Sequence, residues 1–202
     1  EYKDPEIIEA STLILTQTQR ITNIVRSLVG FARTDAHMTP NTYSAVNLHD
    51  IIDEAINLLK LSGGKDYQFD NFCTDDILVR GNGQKLMQVF VNLLSNARDA
   101  SPPQSHIIVE AHSNGNYIHI DVEDFGHGLP EGTIRSTLFE PFVTTKETGK
   151  GTGLGLALVH GIIGEHGGKI QLMDKADYDQ GRGVIVQITL PAWLDDSNEN
   201  DS

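Results

Sequence analysis

The 202-residue sequence contains a single cysteine, Cys73, and few aromatic residues, which make up 6% of the chain. One cysteine cannot form an internal disulfide, and it cannot supply a redox pair or a zinc site built from several thiolates. The composition therefore lacks the features of a disulfide-stabilised secreted protein and fits a reducing compartment. We interpret Cys73 as a small, half-buried strand residue.

Clustered positive charge and a long apolar run are also missing. The formal net charge is −13 and no long run of Lys or Arg occurs, which argues against binding to nucleic acid. The longest weakly polar stretch, residues 153–164, is too short to span a bilayer, and no signal peptide opens the chain. We expect a cytoplasmic chain without membrane contact. It begins at Glu1 without methionine, so we expect a piece of a longer protein and leave membrane anchoring of that protein open.

Four segments stand in a fixed order from residue 88 onward: QVFVNLLSNARDA, DFGHGLP, LFEPFVTTKETGK and GTGLGLALVHGIIGEHGG. The first is an apolar helix whose Asn92 and Asn96 share one face. In the second, Asp124 is followed by glycines at positions 126 and 128, where the backbone can turn sharply. Glycines at 149, 151, 153 and 155 then precede a helix, which presents unpaired amides to phosphates. Together the segments predict a bound nucleotide.

The alternation of apolar residues predicts one mixed, largely antiparallel sheet with helices on a single face. We expect helices after Val46, over the Asn92 segment and from about Leu154 to His166. Strand patterns are YQFDNF, ILVRG, HIIVEA, YIHIDVED, KIQLMDKA and GVIVQITLP, with an Asn-Gly turn between the third and the fourth. The predicted fold class is α+β, as a two-layer α/β sandwich preceded by a long N-terminal helix.

The N-terminal region predicts that helix, because apolar residues from Ile7 to Phe31 recur at alternating steps of three and four. The segment after residue 36 loses this periodicity, and Pro40 prevents helix continuation. We therefore divide the chain into a helix at 1–36, a linker at 37–45, one domain at 46–194 and a disordered acidic tail at 195–202.

The four segments resemble the N, G1, F and G2 boxes of the catalytic domain of bacterial sensor histidine kinases, over roughly residues 48 to 191. The resemblance implies a Bergerat-type ATP-binding fold and a kinase that transfers the γ-phosphoryl of Mg-ATP to a histidine. Residues 1–36 then resemble the second helix of the dimerisation hairpin. The implied partners are a second copy, through that hairpin, and the receiver domain of a response regulator.

The resemblance also implies roles for individual residues. Asp124 would accept the exocyclic amine of adenine, and Asn96 would bind Mg²⁺. Lys146 and Lys150 would neutralise phosphates, and Phe142 would help to anchor a flexible lid. The full set of expected ATP-binding residues is Asn92, Asn96, Arg98, Asp99, Asp124, Gly126, Gly128, Leu129, Phe142, Thr144, Thr145, Lys146, Gly149, Lys150, Gly151, Thr152, Gly153, Leu154 and Gly155.

Two positions bear on which activity to expect. In related ATPases of this fold a Glu stands four residues before the metal-binding Asn, whereas Asn92 is an amide that cannot accept a proton at neutral pH. This favours phosphoryl transfer over the alternatives, an ATPase or gating domain and a non-catalytic ATP-sensing scaffold. Asp99 stands where many histidine kinases have a basic residue, and this departure resembles the nitrogen-regulator branch of the kinases. The phosphate contact there, and the direction of Arg98, stay open.

None of the eight histidines has the setting of a phosphoacceptor, which the family places on the first hairpin helix before an acidic residue and a proline. The His49-Asp50 pair is similar to the acceptor dipeptide but has no proline and begins the first helix of the domain. We therefore assign no catalytic residue within this chain and expect the acceptor histidine upstream of Glu1.

Overall fold

The computed structural model describes residues 43–62, 66–146, 151–178 and 181–194, together with residues 7, 11, 14 and 18. It contains three α-helices within the described ranges: α1 (Leu48–Leu61), α2 (Gly83–Ala100) and α3 (Gly155–Glu165). Its strands are β1 (Ser44–Asn47), β2 (Gln68–Asn71), β3 (Leu78–Gly81), β4 (His106–Asn114), β5 (Tyr117–Asp124), β6 (Lys169–Asp174) and β7 (Val184–Pro191). Two short 3₁₀ helices cover Arg135–Phe139 and Lys175–Tyr178.

Five strands form the main sheet in the order β2-β4-β5-β7-β6. The β2–β4 pair is parallel and the other three pairs are antiparallel, which confirms the prediction of a mixed, largely antiparallel sheet. The predicted Asn-Gly turn joins β4 to β5, where Asn114 pairs with Tyr117 and Gly115 has a φ of +60°. A two-residue hairpin loop favours glycine because such turns need a positive φ.

Every second residue of the central strands faces the helices. Ile118, Ile120 and Val122 on β5 are buried, as are Val186 and Ile188 on β7. They pack against the apolar faces of the helices, which have contacts with the strands and with each other. The predicted arrangement with the helices on one face of the sheet is therefore confirmed.

The helix boundaries follow from their capping residues. The Asn47 side chain accepts a hydrogen bond from the Asp50 amide at 3.2 Å, and Asn82 accepts one from the Lys85 amide at 3.1 Å. Asparagine is a favoured N-cap because its oxygen pairs with an amide that the helix leaves free. Helix α3 ends before Gly167, whose φ is +69°.

Strand β3 does not join the main sheet as we predicted for ILVRG. It pairs with β1, a strand that we did not predict, in a separate antiparallel sheet. Val46 and Val79 form a cross-strand pair and are both buried, at 7% and 0% exposed. Each strand is only four residues long, so alternation of apolar residues is too brief to indicate its partner.

Most of the predicted N-terminal helix lies outside the described residues, as do the acidic tail and most of the linker. The four described positions, Ile7, Ser11, Ile14 and Thr18, are helical and exposed. Across the described part of the chain, no helix is both long enough and apolar enough to cross a membrane.

Candidate functional site

A cavity of about 540 Å³ opens between α2, the C-terminal end of β5 and the segments around residues 127–129, 143–146 and 151–156. Its volume lies within the range of small-molecule sites. Of the predicted site residues, it is lined by Asn92, Asn96, Asp99, Asp124, Gly128, Leu129, Thr144, Thr145, Lys146, Gly151, Thr152, Gly153 and Gly155. Four segments separated along the sequence thus converge on one cavity.

Asp124 ends β5 and is only 6% exposed. Its Oδ1 accepts hydrogen bonds from the backbone amides of Gly126 at 2.9 Å and Val184 at 3.2 Å. Its Oδ2 has no hydrogen-bond partner among the residues that the structure describes. Burial raises the pKa of this carboxyl, against the lowering effect of the two amides and of Lys175. One carboxylate oxygen is therefore fixed by the fold while the other is free for a ligand.

The glycines after Asp124 are required by their surroundings. A Cβ on Gly126 would lie 2.5 Å from the carbonyl oxygen of Ala100, so any side chain there would collide with the end of α2. Gly128 has a φ of +77°, which residues with a side chain rarely adopt. The chain turns here beside Asp174, whose Oδ2 accepts the Leu129 amide at 2.8 Å.

Helix α2 presents its two asparagines to the cavity. The Asn92 side chain donates from Nδ2 to the carbonyl of Gln88 at 2.7 Å, which directs Oδ1 away from that carbonyl. A Cβ on Gly155 would lie 3.1 Å from this Oδ1. The absence of a side chain at Gly155 therefore keeps the space between the start of α3 and the Asn92 amide open.

Three charged residues meet at one side of the cavity. Lys146 Nζ lies 3.2 Å from Asn96 Oδ1 and 2.8 Å from Asp99 Oδ2. The Arg98 guanidinium pairs with the other oxygen of Asp99 at 2.9 Å and also donates to Ser95. Asp99 thus contacts two cations, and Arg98 is held along the helix rather than directed into the cavity.

The glycine-rich segment leads into α3. A Cβ on Gly151 would lie 2.5 Å from Thr144 Oγ1, and one on Gly153, whose φ is +66°, would collide with the Phe142 backbone. The N-cap position of α3 is Leu154, whose apolar side chain makes no capping bond to the first amides of the helix. These donors and the positive end of the helix dipole favour an anion.

A model of the family described as histidine kinase-, DNA gyrase B- and HSP90-like ATPase matches residues 81–194, more than half of the chain. The chain belongs to this family. The match starts at the end of β3 and covers every residue of the cavity, so the site described above belongs to the ATPase domain.

Sensor kinases are among the curated relatives. Sensor kinase CckA of Brucella abortus (strain 2308) is 32% identical, over 94% of this chain and 21% of the relative. Nitrogen regulation protein NtrY of Azorhizobium caulinodans is 35% identical, over 94% of this chain and 24% of the relative. The chain thus spans about a quarter or less of the length of these two proteins.

Solved structures of histidine kinases share the fold. The mycobacterial sensor histidine kinase MprB is 26% identical, with a TM-score of 0.67 over 75% of this chain and 98% of that chain. ShkA in complex with AMPPNP is 19% identical, with a TM-score of 0.75 over 96% of this chain and 41% of that chain. ThkA in complex with the response regulator TrrA is 24% identical, with a TM-score of 0.73 over 95% of this chain and 53% of that chain. The relatives and MprB support the interpretation of the chain as a sensor histidine kinase catalytic core.

Four predicted site residues do not line the cavity of this ATPase domain: Arg98, Gly126, Phe142 and Leu154. Gly126 instead supports Asp124 through its amide. Phe142 is 71% exposed, with a φ of +69°, and its amide donates to the carbonyl of Gly153. Gly149 and Lys150 lie outside the described residues, and direct roles for these six residues stay predictions.

Local sequence patterns do not indicate Asp174, Lys175 or Val184 as residues of the site. Val184 lines the cavity and fixes Asp124 Oδ1 through its amide. Asp174 and Lys175 are both buried, at 8% and 2% exposed, and contact the segment that contains Asp124. In the sequence, a Lys that follows a strand is typical of a solvent-exposed charged residue. Only the packing of β6 beside β7 brings Lys175 to Asp124.

No group of three or more His, Cys, Asp or Glu side chains within the described ranges could hold a metal ion. The cavity supplies amide and hydroxyl oxygens instead, from Asn96, Thr144 and Thr152 among others. Such neutral oxygens suit Mg²⁺ when phosphate oxygens and water complete its coordination.

Proposed function

We propose that the chain is the ATP-dependent core of a protein histidine kinase, which binds Mg-ATP and transfers the γ-phosphoryl group to a histidine. The observation that carries this proposal is the convergence of Asp124, Asn96 and the glycine-rich start of α3 on one cavity. A buried carboxylate at one place and free helix amides at another suit the two ends of a nucleotide.

Asp124 would select the base. Its free Oδ2 is an acceptor, so it can pair with the exocyclic amine of adenine but not with the carbonyl oxygen that guanine carries at the same ring position. The walls near this carboxylate are apolar and include Val122, Leu172 and Val186. Such walls suit a planar aromatic base.

Asn96, Lys146 and the glycine segment would hold the metal and the phosphates. Asn96 Oδ1 already accepts a cationic partner, the Lys146 ammonium, which agrees with a role as a ligand for a cation. The amides of Gly153 and Gly155 and the hydroxyls of Thr144, Thr145 and Thr152 would contact phosphate oxygens. We propose the same for Gly149 and Lys150 from the sequence alone.

Asn92 favours phosphoryl transfer over hydrolysis. Its Nδ2 group donates to Gln88, and the remaining amide oxygen is too weak a base to remove a proton from water at neutral pH. Mg-ATP supplies the transferable phosphoryl group, and the chain binds, orients and shields it. The alternatives are an ATPase or gating domain and a non-catalytic ATP sensor.

The acceptor histidine would come from a dimerisation hairpin whose second helix is residues 1–36, followed by the linker at 37–45, the catalytic domain at 46–194 and the acidic tail at 195–202. Two of the described histidines are poorly placed as acceptors: His166 is buried with both ring nitrogens bonded, and His49 is bonded to the carbonyl of Cys73. We propose a homodimer through the hairpin and, as for ThkA, a response-regulator partner, whose receiver aspartate takes the phosphoryl group.

Incubation with γ-labelled ATP and Mg²⁺ tests the proposal. The chain alone should bind ATP but acquire no label and release phosphate slowly, and addition of a dimeric hairpin with the upstream helix should give an acid-labile label on histidine. Asp124→Asn is the matched negative control. Rapid phosphate release by the chain alone would favour the ATPase alternative, and an acid-labile label on it would identify an internal acceptor.

A further inference from the structure

A buried lysine lies behind the carboxylate that we assign to the base. Lys175 is 2% exposed, and its Nζ forms an ion pair with Glu123, lies 3.4 Å from the backbone oxygen of Asp124 and lies 3.4 Å from the centroid of the Phe125 ring. One ammonium thus contacts three consecutive residues at the end of β5. A buried charge is costly unless it is paired, so these three contacts fix the position of the Lys175 ammonium.

The preceding residue contacts the other end of the same loop. Asp174 is 8% exposed, and its Oδ2 accepts the amide of Leu129 at 2.8 Å while its Oδ1 accepts the amide of Ala176 at 3.0 Å. A Cβ on Gly128 would lie 3.3 Å from both carboxylate oxygens. Asp174 therefore fixes the loop at residues 128 and 129 and begins the short helix that contains Lys175.

We propose that Asp174 and Lys175 are positioning residues that hold the segment 123–129 from its two ends and thereby set the place of Asp124 in the cavity. The proposal rests on the proposed function, because it assumes that Asp124 recognises the base. Neither residue lines the cavity, so both act through the loop rather than by contact with a ligand.

The backbone around the pair supports a positioning role. The amide of Lys175 donates to the carbonyl of Gly183 at 3.0 Å, and the next residue, Val184, donates to Asp124 Oδ1. Gly183 has a φ of +133°, and a Cβ there would collide with the backbone oxygen of Asp124. The β6–β7 connection is thus built against the end of β5. Burial raises the pKa of Asp124, and the positive charge of Lys175 opposes that effect and favours the ionised acceptor.

Titration calorimetry of the whole chain with Mg-ATP and with Mg-GTP tests the proposal. The variants are Lys175→Met, which keeps the aliphatic length, and Asp174→Asn, which turns one of two acceptor oxygens into a donor. Lys169→Met is the matched control, because Lys169 is exposed at the other end of β6. The readout is the ratio of ATP to GTP affinity in folded protein, which a loss of stability alone does not change.

Lys175→Met should lower the ATP affinity by about tenfold or more, the scale of a lost charge-assisted contact, and reduce the ATP-to-GTP ratio, while Lys169→Met changes neither. Asp174→Asn should reduce the ratio as well, and it decides the test if circular dichroism shows that Lys175→Met does not fold. An unchanged ratio in folded Lys175→Met would overturn the role of Lys175.

The parent chain is measured first, so that two different failures can be told apart. If it binds ATP in preference to GTP and the variants do so equally well, only the positioning role is wrong. If the parent chain binds neither nucleotide, or binds both equally, the assignment of Asp124 is wrong and the inference built on it is overturned too.

Discussion

Lys146 Nζ lies 2.8 Å from Asp99 Oδ2, on the side of the cavity where Asn96 also contacts it. Asp99 pairs with Arg98 through its other oxygen, so one carboxylate contacts two cations. The Asp99 side chain is 37% exposed and that of Lys146 is 30% exposed, so solvent screens the pair. A triphosphate would compete with Asp99 for the same ammonium.

Asp99→Asn should therefore bind Mg-ATP more tightly than the parent chain. The substitution removes a negative charge near the proposed phosphate site and weakens the competing ion pair, so we expect a gain of about threefold at low salt. Calorimetry at low and high salt measures it, and the gain should shrink as salt is added because the groups are partly exposed.

Asp121→Asn is the matched control for Asp99→Asn, because Asp121 lies on the opposite face of the sheet from Asp124 and should not alter affinity. An equal gain in both variants would show that total charge, and not the Lys146–Asp99 pair, controls binding. Weaker binding in Asp99→Asn would mean that Asp99 itself contributes to the nucleotide site.

Asp124→Asn should change base preference. In the variant, Oδ1 can keep its hydrogen bonds to the amides of Gly126 and Val184, whereas the free oxygen becomes an amide group that donates. A donor opposes the amine of adenine and suits the carbonyl of guanine, so ATP affinity should fall by about 10- to 100-fold and GTP should lose less. Equal affinity of the parent chain for ATP and GTP in calorimetry would remove Asp124 from this role.

The same variant should be more stable without nucleotide at neutral pH. Burial raises the pKa of Asp124, so the folded state binds its proton more tightly than the unfolded state. The stabilisation that comes from this tighter proton binding is fully present below the ordinary pKa of 3.8 and is lost as the pH rises through the raised value. An asparagine side chain does not ionise, so the variant does not lose stability in this way as the pH rises.

Melting temperatures of the parent chain and Asp124→Asn from neutral to acid pH test this prediction. The variant should melt higher at neutral pH, and the difference should disappear below the ordinary pKa of 3.8, where the parent carboxyl is protonated in both states. A variant less stable at every pH would show that the ionised carboxylate stabilises the fold.

Local spacing was sufficient to predict the parts of the site that lie within one element. Asn92 and Asn96 share a helix face because they are one turn apart, and the turn after Asp124 follows from its two glycines. Strong alternation likewise predicted the long strands β4 and β5. The fold class and these parts of the cavity therefore follow from short-range patterns.

Contacts across long separations could not be predicted in this way. Lys175 contacts Asp124 from 51 positions away, and Asp174 contacts Leu129 from 45 positions away. Their pairing depends on the strand order β5-β7-β6, which alternation alone does not specify. The pairing of β1 with β3 was also not predicted, because the alternation of apolar residues over four positions is too short to indicate a partner strand.

Asn96→Ala should abolish the effect of Mg²⁺ on ATP binding and leave the fold intact. The side chain lines the cavity, and its oxygen accepts only the Lys146 ammonium among the described residues, so its loss leaves no core group unpaired. Titrations with and without Mg²⁺ should give equal affinity in the variant. Asn57→Ala, at an exposed position of α1, is the matched control. Parent-like Mg²⁺ dependence in Asn96→Ala would mean that Asn96 is not the metal ligand.

His166 should make stability fall with acid. It is 4% exposed, its Nδ1 donates to the carbonyl of Ile162 at 2.7 Å, and its Nε2 accepts the amide of Asn82 at 3.0 Å. Only the neutral ring can make both bonds, and burial lowers its pKa. The stabilisation is present above the ordinary pKa of 6.5 and is lost as the pH falls through the lowered value, because the unfolded chain takes up the proton first.

Chemical denaturation from pH 8 downward, at about one-unit steps, compares the parent chain with His166→Gln. The variant should be less stable at neutral pH by about 1–3 kcal/mol, since the amide of Asn82 loses its buried partner, and the deficit should narrow below pH 6.5. His49 should have the opposite pH dependence, because its hydrogen bond to the carbonyl of Cys73 raises its pKa. The stability that His49 contributes is therefore lost as the pH rises. His49→Gln should therefore alter the pH slope in the opposite direction. A deficit of His166→Gln that is constant with pH would show that His166 does not titrate between the folded and unfolded states.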